Sequence, residues 1–253
     1  MSEIDVPESH PRYESLLTRH RIEAGVEKGI TSKQGLIAEG RGEAFDYLLG
    51  EETTPSADRA ERAAAALLLL ADHPVLSVNG NAAALVPGEM VELASVVEAD
   101  IEVNLFNRTD ERMQAIVEHL REHDAAEAGV EIKGLTADAR IPGLDHERAK
   151  VDADGIGAAD VVLVPLEDGD RAEALAEMGK REIVIDLNPL SRSAQTAAVP
   201  IIDNILRAVP NITEHARTLQ NASQDELETV LREFDRERAL ATAEDAIRSG
   251  TLE

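Results

Sequence analysis

The apolar positions divide the chain into a helical N-terminal stretch and an alternating β/α remainder. Tyr13, Leu16, Leu17, Ile22 and Val26 recur at helical spacing, and the stripe stops at Gly29, a residue that ends helices at little strain. Ala57 to Ala71 is an Ala/Leu run closed by Pro74. Between the two, Gln34 to Leu49 predicts a Gly-punctuated loop leading into a short amphipathic segment.

From residue 75 onward, short β-rich runs alternate with helical stretches: Val75 to Val78, Ile101 to Phe106, a weaker Val130 to Lys133, Val161 to Leu166, Ile183 to Leu187 and Val199 to Ile202. Several are apolar on both faces, as strands covered by helices on both sides must be. Thr109 is placed to cap a helix carrying Met113, Ile116, Val117 and Leu120, and Ser223-Gln-Asp-Glu226 forms a capping box ahead of Leu227, Val230, Leu231 and Phe234. A single helix is expected from there to near Gly250. The pattern predicts an α/β fold: a Rossmann-like, mostly parallel sheet with helices on both faces. One domain spans 1–253, with a helical elaboration over 1–73, a core over 74–220 and the C-terminal helix over 221–253. The flanking helices would cover a sheet edge or form a subunit interface.

Composition narrows the function classes. The 253 residues contain no Cys and no Trp, which excludes a disulfide scaffold and Cys-ligated zinc or iron–sulfur sites. The N-terminus has no apolar h-region, and the longest apolar run, Ala63 to Ala71, is far short of the roughly 20 residues that cross a bilayer. A cytoplasmic protein with no membrane partner is expected. Asp and Glu number 50 against 25 Lys and Arg, a net charge of −25, where roughly 2 to 8 in magnitude is usual for a small domain. At about 1 M salt the Debye length shrinks to about 3 Å and such self-repulsion is screened. Because the acids are spread along the chain and the bases are 20 Arg but 5 Lys, the surface reads as halophilic rather than as an acidic binding tail. Without a basic face, nucleic acid is not an expected partner. Each Arg in a ligand-like loop gains meaning by contrast.

In open parallel sheets, ligands bind beyond the carboxyl ends of the strands. The residues there are Asn79-Gly80-Asn81, Asn107-Arg108-Thr109, Glu167-Asp168-Gly169-Asp170-Arg171, Asp186 to Ser193, and Asp203-Asn204. Each admits two readings. Asn79 to Asn81 is a tight turn or a place where an anion approaches the backbone; the Glu167 to Asp170 segment is a turn with Asp170 capping the next helix, or a carboxylate holding Mg²⁺. Asp186 to Ser193 is the strongest signal: its carboxylate suits ribose hydroxyls, while Arg192 and a helix start suit phosphate. Arg19, Arg21 and Arg41 are ambiguous, although Gly40-Arg41-Gly42 sets a guanidinium between two flexible residues. The seven His show no HExxH spacing, no G-x-S-x-G elbow occurs, and P-loop and dinucleotide fingerprints are absent. The residues alone support an α/β protein binding a phosphorylated, nucleotide-like anion. A nicotinamide-dependent oxidoreductase and a non-catalytic nucleotide-binding protein are the alternatives.

At these same residues the sequence resembles the archaeal-type 4-phosphopantoate:beta-alanine ligase family, also called phosphopantothenate synthetase. The likeness runs from Pro7-Glu-Ser-His-Pro-Arg-Tyr13 through GLIAEGRGEAFDYLLGE, SVNGNAAALVP, EVNLFNRT, DARIPGLDHERA, DVVLVPLEDGDR and DLNPLSRSAQ to the DNI at Asp203. The resemblance implies a Rossmann-like homodimer that uses ATP and Mg²⁺ to condense 4-phosphopantoate with beta-alanine, releasing AMP and diphosphate on the archaeal route to coenzyme A. By motif, the family's ATP contacts fall on Arg19, Arg41, Asp186, Leu187, Asn188, Arg192, Ser193, Asn204 and Ile205. On that basis Arg41 and Arg192 are expected as catalytic clamps on phosphate, with Asn79, Gly80 and Asn81 facing phosphopantoate.

Overall fold

In the computed structural model, which describes Pro7, Ser9, His10 and residues 13–250, three helices precede the first strand: α1 (Tyr13–Glu27), α2 (Lys33–Leu49) and α3 (Pro55–Leu69). Glu8, Pro11 and Arg12 of the first family motif, and the end of the C-terminal segment from 251, lie outside the described residues. β1 (Pro74–Val78), α4 (Gly80–Leu85), α5 (Pro87–Val96), β2 (Asp100–Val103), α6 (Asp110–Arg121) and β3 (Ile132–Lys133) make the first half of the sheet layer. A small antiparallel pair, β4 (Ala139–Arg140) and β5 (Lys150–Val151), interrupts the alternation. Then come β6 (Val161–Pro165), α7 (Gly169–Glu177), β7 (Arg181–Asp186), α8 (Arg192–Thr196), β8 (Val199–Ile202), α9 (Ile205–Leu219), α10 (Gln224–Glu233) and α11 (Arg236–Ser249).

All pairings in the six-stranded sheet are parallel, in the order β3-β2-β1-β6-β7-β8. The expected α/β fold is therefore observed. The strand order runs outward in opposite directions from β1 and from β6, which puts the open crevice of the sheet at the carboxyl ends of that pair. Alternate side chains feed different cores: Leu76, Leu163, Ile183 and Ile185 join α3, α5, α6 and α9, while Val75, Val162 and Val164 pack with Leu175, Ile141, Ala149 and Ile156. Burying each such side chain is worth about 1.5–3 kcal/mol, which is why these strands carry so few polar residues. A third cluster joins Phe45 of α2 to Ala194, Ile202, Leu240 and Ala243, fastening α2 and α11 to the far end of the sheet.

Three expectations are corrected. Gln34 to Leu49 is not a loop and a short segment but one continuous helix, α2. Its glycines cost helix propensity, about 1 kcal/mol each, but two of the three serve as contact points: a Cβ on Gly35 would fall 2.4 Å from Asn81 Oδ1, and one on Gly42 would meet Asn204 Nδ2 at 3.3 Å. The C-terminal helix is two helices, broken at Phe234 and Asp235, where Asp235 caps the second by accepting from the Arg238 N–H at 3.0 Å. Asp168, not Asp170, caps α7. The caps at Thr109 and the Ser223–Glu226 capping box form as expected.

Candidate functional site

Helix α2 lies across the carboxyl edge of the sheet and is tied down at both ends. Near its start, Asn81 Nδ2 donates to the Gly35 carbonyl at 3.0 Å while Asn81 Oδ1 accepts from Thr31 Oγ1 at 2.5 Å. Toward its end, Asp46 accepts from Asn204 Nδ2 at 3.0 Å and from Arg207 at 2.8 Å, and Arg207 also donates to Asp203 at 2.6 Å. The helix thus separates two cavities. A narrow cleft lined by Glu39, Gly42, Leu187, Asn204 and Ile205 lies under it.

The cavity on the β1, β2 and β6 side has a volume of about 210 Å³ and is lined by Asn79, Gly80, Asn81, Asn104, Asn107 and Leu166 together with Arg41, Arg112 and Arg148. No Asp or Glu among the described residues lines it, in a chain where acids outnumber bases two to one. Arg112 donates to the carbonyls of Ile30 and Asn107, and Arg41 to the Ala38 carbonyl. These neutral partners leave the positive charges of Arg41 and Arg112 unpaired with any carboxylate among the described residues.

The cavity on the other side of α2, about 300 Å³, has the opposite character: Glu14, Glu39, Glu43, Asp46 and Glu51 line it with Arg19 and Arg207. Burial, then the neighbouring charges of Asp46 and Glu43, push the Glu39 carboxyl up to about 7. Arg19 pairs with Glu43.

The strand-end residues singled out in sequence first hold the loops in shape. Asn79 Oδ1 caps α4 through the N–H groups of Asn81 and Ala82, both at 3.0 Å, and its Nδ2 ties the β1 loop to Pro165 at 2.9 Å. Asp186 accepts from the Leu187 and Asn188 N–H groups at 2.7 and 3.2 Å and from Ser191 Oγ at 2.6 Å. Ser191 caps α8, Asn204 caps α9, and Ser193 Oγ donates to the Glu167 carbonyl. Arg192 turns toward α7, pairing with Asp170 at 2.7 Å and Glu173 at 3.5 Å. Arg41, Asn79, Gly80 and Asn81 meet at the arginine-lined cavity, and Arg19 and Asn204 at the acidic one, with Leu187 and Ile205 between them. Arg192, Asp186, Asn188 and Ser193 are not among the residues lining these three spaces.

Several residues of this edge are not marked out by the strand-end pattern. Asn104 and Glu102 are fully buried polar residues inside an apolar strand run, a signal that was legible. Arg112 and Arg148 gave none, because they reach the site from a helix surface and from the short 3₁₀ turn, Glu147–Ala149, before β5. Beneath the cavity, Glu167 forms ion pairs with Arg171 at 2.5 Å and with Arg148 at 3.2 Å. Asp58, Glu61 and His215 form a separate group on α3 and α9 in which one ligand atom from each lies within 4.8 Å of the others.

The family described as phosphopantothenate/pantothenate synthetase matches residues 56–250. The chain belongs to that family. It is 56% identical over 238 residues, 94% of this chain and 90% of the relative, to the 4-phosphopantoate–beta-alanine ligase of Thermococcus kodakarensis. It is also 54% identical over 239 residues to the ligase of the same name from Methanosarcina mazei, covering 94% of this chain and 92% of that protein. This member of the phosphopantothenate synthetase family has no Gly-rich first turn: its β1–α4 corner is Asn79-Gly80-Asn81, closed by the Asn79 cap.

Proposed function

We propose that this protein is an ATP-dependent ligase that joins 4-phosphopantoate to beta-alanine, forming 4′-phosphopantothenate, AMP and diphosphate. The observation that carries the reading is the pair of unlike cavities separated by α2, one lined by Arg41, Arg112 and Arg148 with no acid among the described residues, the other rich in carboxylates. The first suits a phosphorylated carboxylic acid. The cleft past Leu187, Asn204 and Ile205 suits the nucleotide, in keeping with the family's motif, and the acceptor amine is left the acidic side.

The carboxylate of phosphopantoate is a poor acyl donor, so one of its oxygens attacks the α-phosphorus of ATP and diphosphate leaves. The neutral amine of beta-alanine then attacks the acyl-adenylate carbonyl and AMP departs. Arg41, unpaired with any carboxylate among the described residues, is placed to hold phosphate charge across that step. Arg192 reaches the nucleotide by exchanging Asp170 and Glu173 for phosphate. Orientation of two anions in adjoining spaces supplies much of the rate. Glu39, on the wall of the acidic cavity, offers a carboxylate oxygen of the kind that Mg²⁺ takes. Bound there, the ion would offset triphosphate charge.

The same reading makes the protein a cytoplasmic, halophilic homodimer. No helix among the described residues is long and apolar enough to cross a membrane. Ile37 and Leu48 of α2 are exposed, 78% and 47%, which supports a second copy packing on that helix. The test is direct: purified protein with ATP, Mg²⁺, 4-phosphopantoate and beta-alanine at high KCl releases AMP only when all substrates are present. Absence of AMP from folded protein overturns the proposal.

A further inference from the structure

We propose that Arg148 reads the phosphate group of the phosphorylated substrate from the floor of the arginine-lined cavity, and that the buried charges around it are arranged to leave one positive charge for an anion to neutralise. This rests on the ligase reading for the identity of the ligand, but not for the presence of an anion.

Arg148 is 6% exposed and forms part of the cavity wall. Its Nε donates to Asn104 Oδ1 at 3.2 Å and its Nη1 faces Glu167 Oε1 at 3.2 Å, whereas the buried Nη2 has no partner among the described residues. Asn104, itself fully buried, returns its amide to the carbonyls of Arg148 at 3.3 Å and Lys150 at 3.0 Å, so side chain and backbone are fixed together. A buried guanidinium with an orphan N–H is costly, because the desolvated donor has no compensating bond.

The surrounding charges do not cancel. Arg148 and Arg171 share the single ionised carboxylate of Glu167: burial opposes its charge, but the two guanidiniums prevail and hold it low. The second buried carboxyl, Glu182, is held well above its ordinary range by burial and by Glu167, so it is neutral at pH 7. Glu102 lies near Arg171 and is pushed up to about 7 by burial, with both oxygens committed to the N–H groups of Asp152 and Ile156. Asp168, the remaining carboxylate near Arg148, is partly solvated, caps α7 and faces His146 at 3.6 Å. Two buried guanidiniums against the one carboxylate that forms ion pairs with them leave positive charge in excess. Arg41 and Arg112 on the same cavity add to it, and a phosphate dianion supplies both the missing charge and the missing acceptor.

The test compares wild type, Arg148→Gln and Arg148→Lys. Thermal melts in inorganic phosphate against KCl of equal ionic strength should show phosphate stabilisation of wild type, its loss in Arg148→Gln and partial recovery in Arg148→Lys. Calorimetric titration should show 4-phosphopantoate affinity falling at least roughly tenfold in Arg148→Gln, the scale of a lost charge-assisted bond, with binding of unphosphorylated pantoate and of a non-hydrolysable ATP analogue unchanged. Equal losses for pantoate and phosphopantoate would show a structural role and overturn the proposal, as would Arg148→Gln that keeps phosphate stabilisation. If Arg148→Gln does not fold, Arg148→Lys decides the matter: its shorter, non-planar cation must weaken phosphopantoate more than pantoate or the proposal fails. Wild type that releases no AMP but is stabilised by phosphate through Arg148 would reject the ligase reading and keep the anion site.

Discussion

Asn81 Nδ2 donates to the carbonyl of Gly35 at 3.0 Å, and this one contact joins the first strand's loop to the helix that divides the site. Because Asn81 is 8% exposed and its Oδ1 also takes the Thr31 hydroxyl, truncating it strands two polar groups. Asn81→Ala should cost about 1–3 kcal/mol, lower the melting temperature and open residues 33–49 to protease. Gly35→Ala should do the same by crowding, since its Cβ would lie 2.2 Å from Thr31 Oγ1. A melting curve and digestion pattern matching wild type in both variants would remove Asn81 as the anchor of α2.

Glu39 makes stability depend on pH in a definite direction. Its folded pKa is about 7 against an ordinary 4.5, so between those values the folded state binds the proton more tightly than the unfolded state. Stability from this group therefore falls as pH rises through that window. Glu39→Gln should flatten the slope and gain most over wild type above pH 7. Urea midpoints measured from pH 4 to 8.5 at fixed salt decide it; a constant difference at every pH would contradict the assignment.

The side chains of Arg171 and Glu167 are both fully buried and paired at 2.5 Å. Replacing Arg171 with Leu leaves Glu167 with the weaker Arg148 contact and should destabilise by about 3–5 kcal/mol. Glu182→Gln, by contrast, replaces a carboxyl already neutral at pH 7 and should change stability little there. Chemical denaturation of the two variants side by side checks the contrast, and comparable losses would mean that Glu182 carries charge in the folded protein.

Arg192 is held by Asp170 and Glu173 and is 60% exposed. Arg192→Ala should cut turnover at least about tenfold, the scale of one charge-assisted contact made in the transition state, with no change in melting temperature. Asp170→Asn, which only loosens the resting pair, should leave turnover near wild type. Steady-state AMP release measures both; normal kinetics in Arg192→Ala would take the residue out of the site.

The −25 net charge predicts that the melting temperature climbs as KCl is raised from roughly 0.1 M to about 2 M, because screening removes repulsion that opposes the compact state. Scanning calorimetry across that range tests it. A flat or falling profile would show that the acids are not a salt adaptation.

Much of this protein was legible from local pattern. Apolar periodicity placed all six strands of the main sheet, and Thr109 and Ser223 announced their helices, because strand burial and helix capping are satisfied within a few residues along the chain. The family likeness, too, is written in the order of the motifs. Local rules failed at Gly35 and Gly42, where propensity favoured a loop and packing against Asn81 and Asn204 imposed a helix. They were silent about Arg112 and Arg148. The buried carboxylates around Arg171, and the acid-free lining that the described residues give the cavity beside Arg41, depend on residues far apart in sequence. The sequence determined which elements form and where anions are plausible; only the tertiary structure decided which arginines keep a charge to offer, since the carboxylates that neutralise the others arrive through the fold.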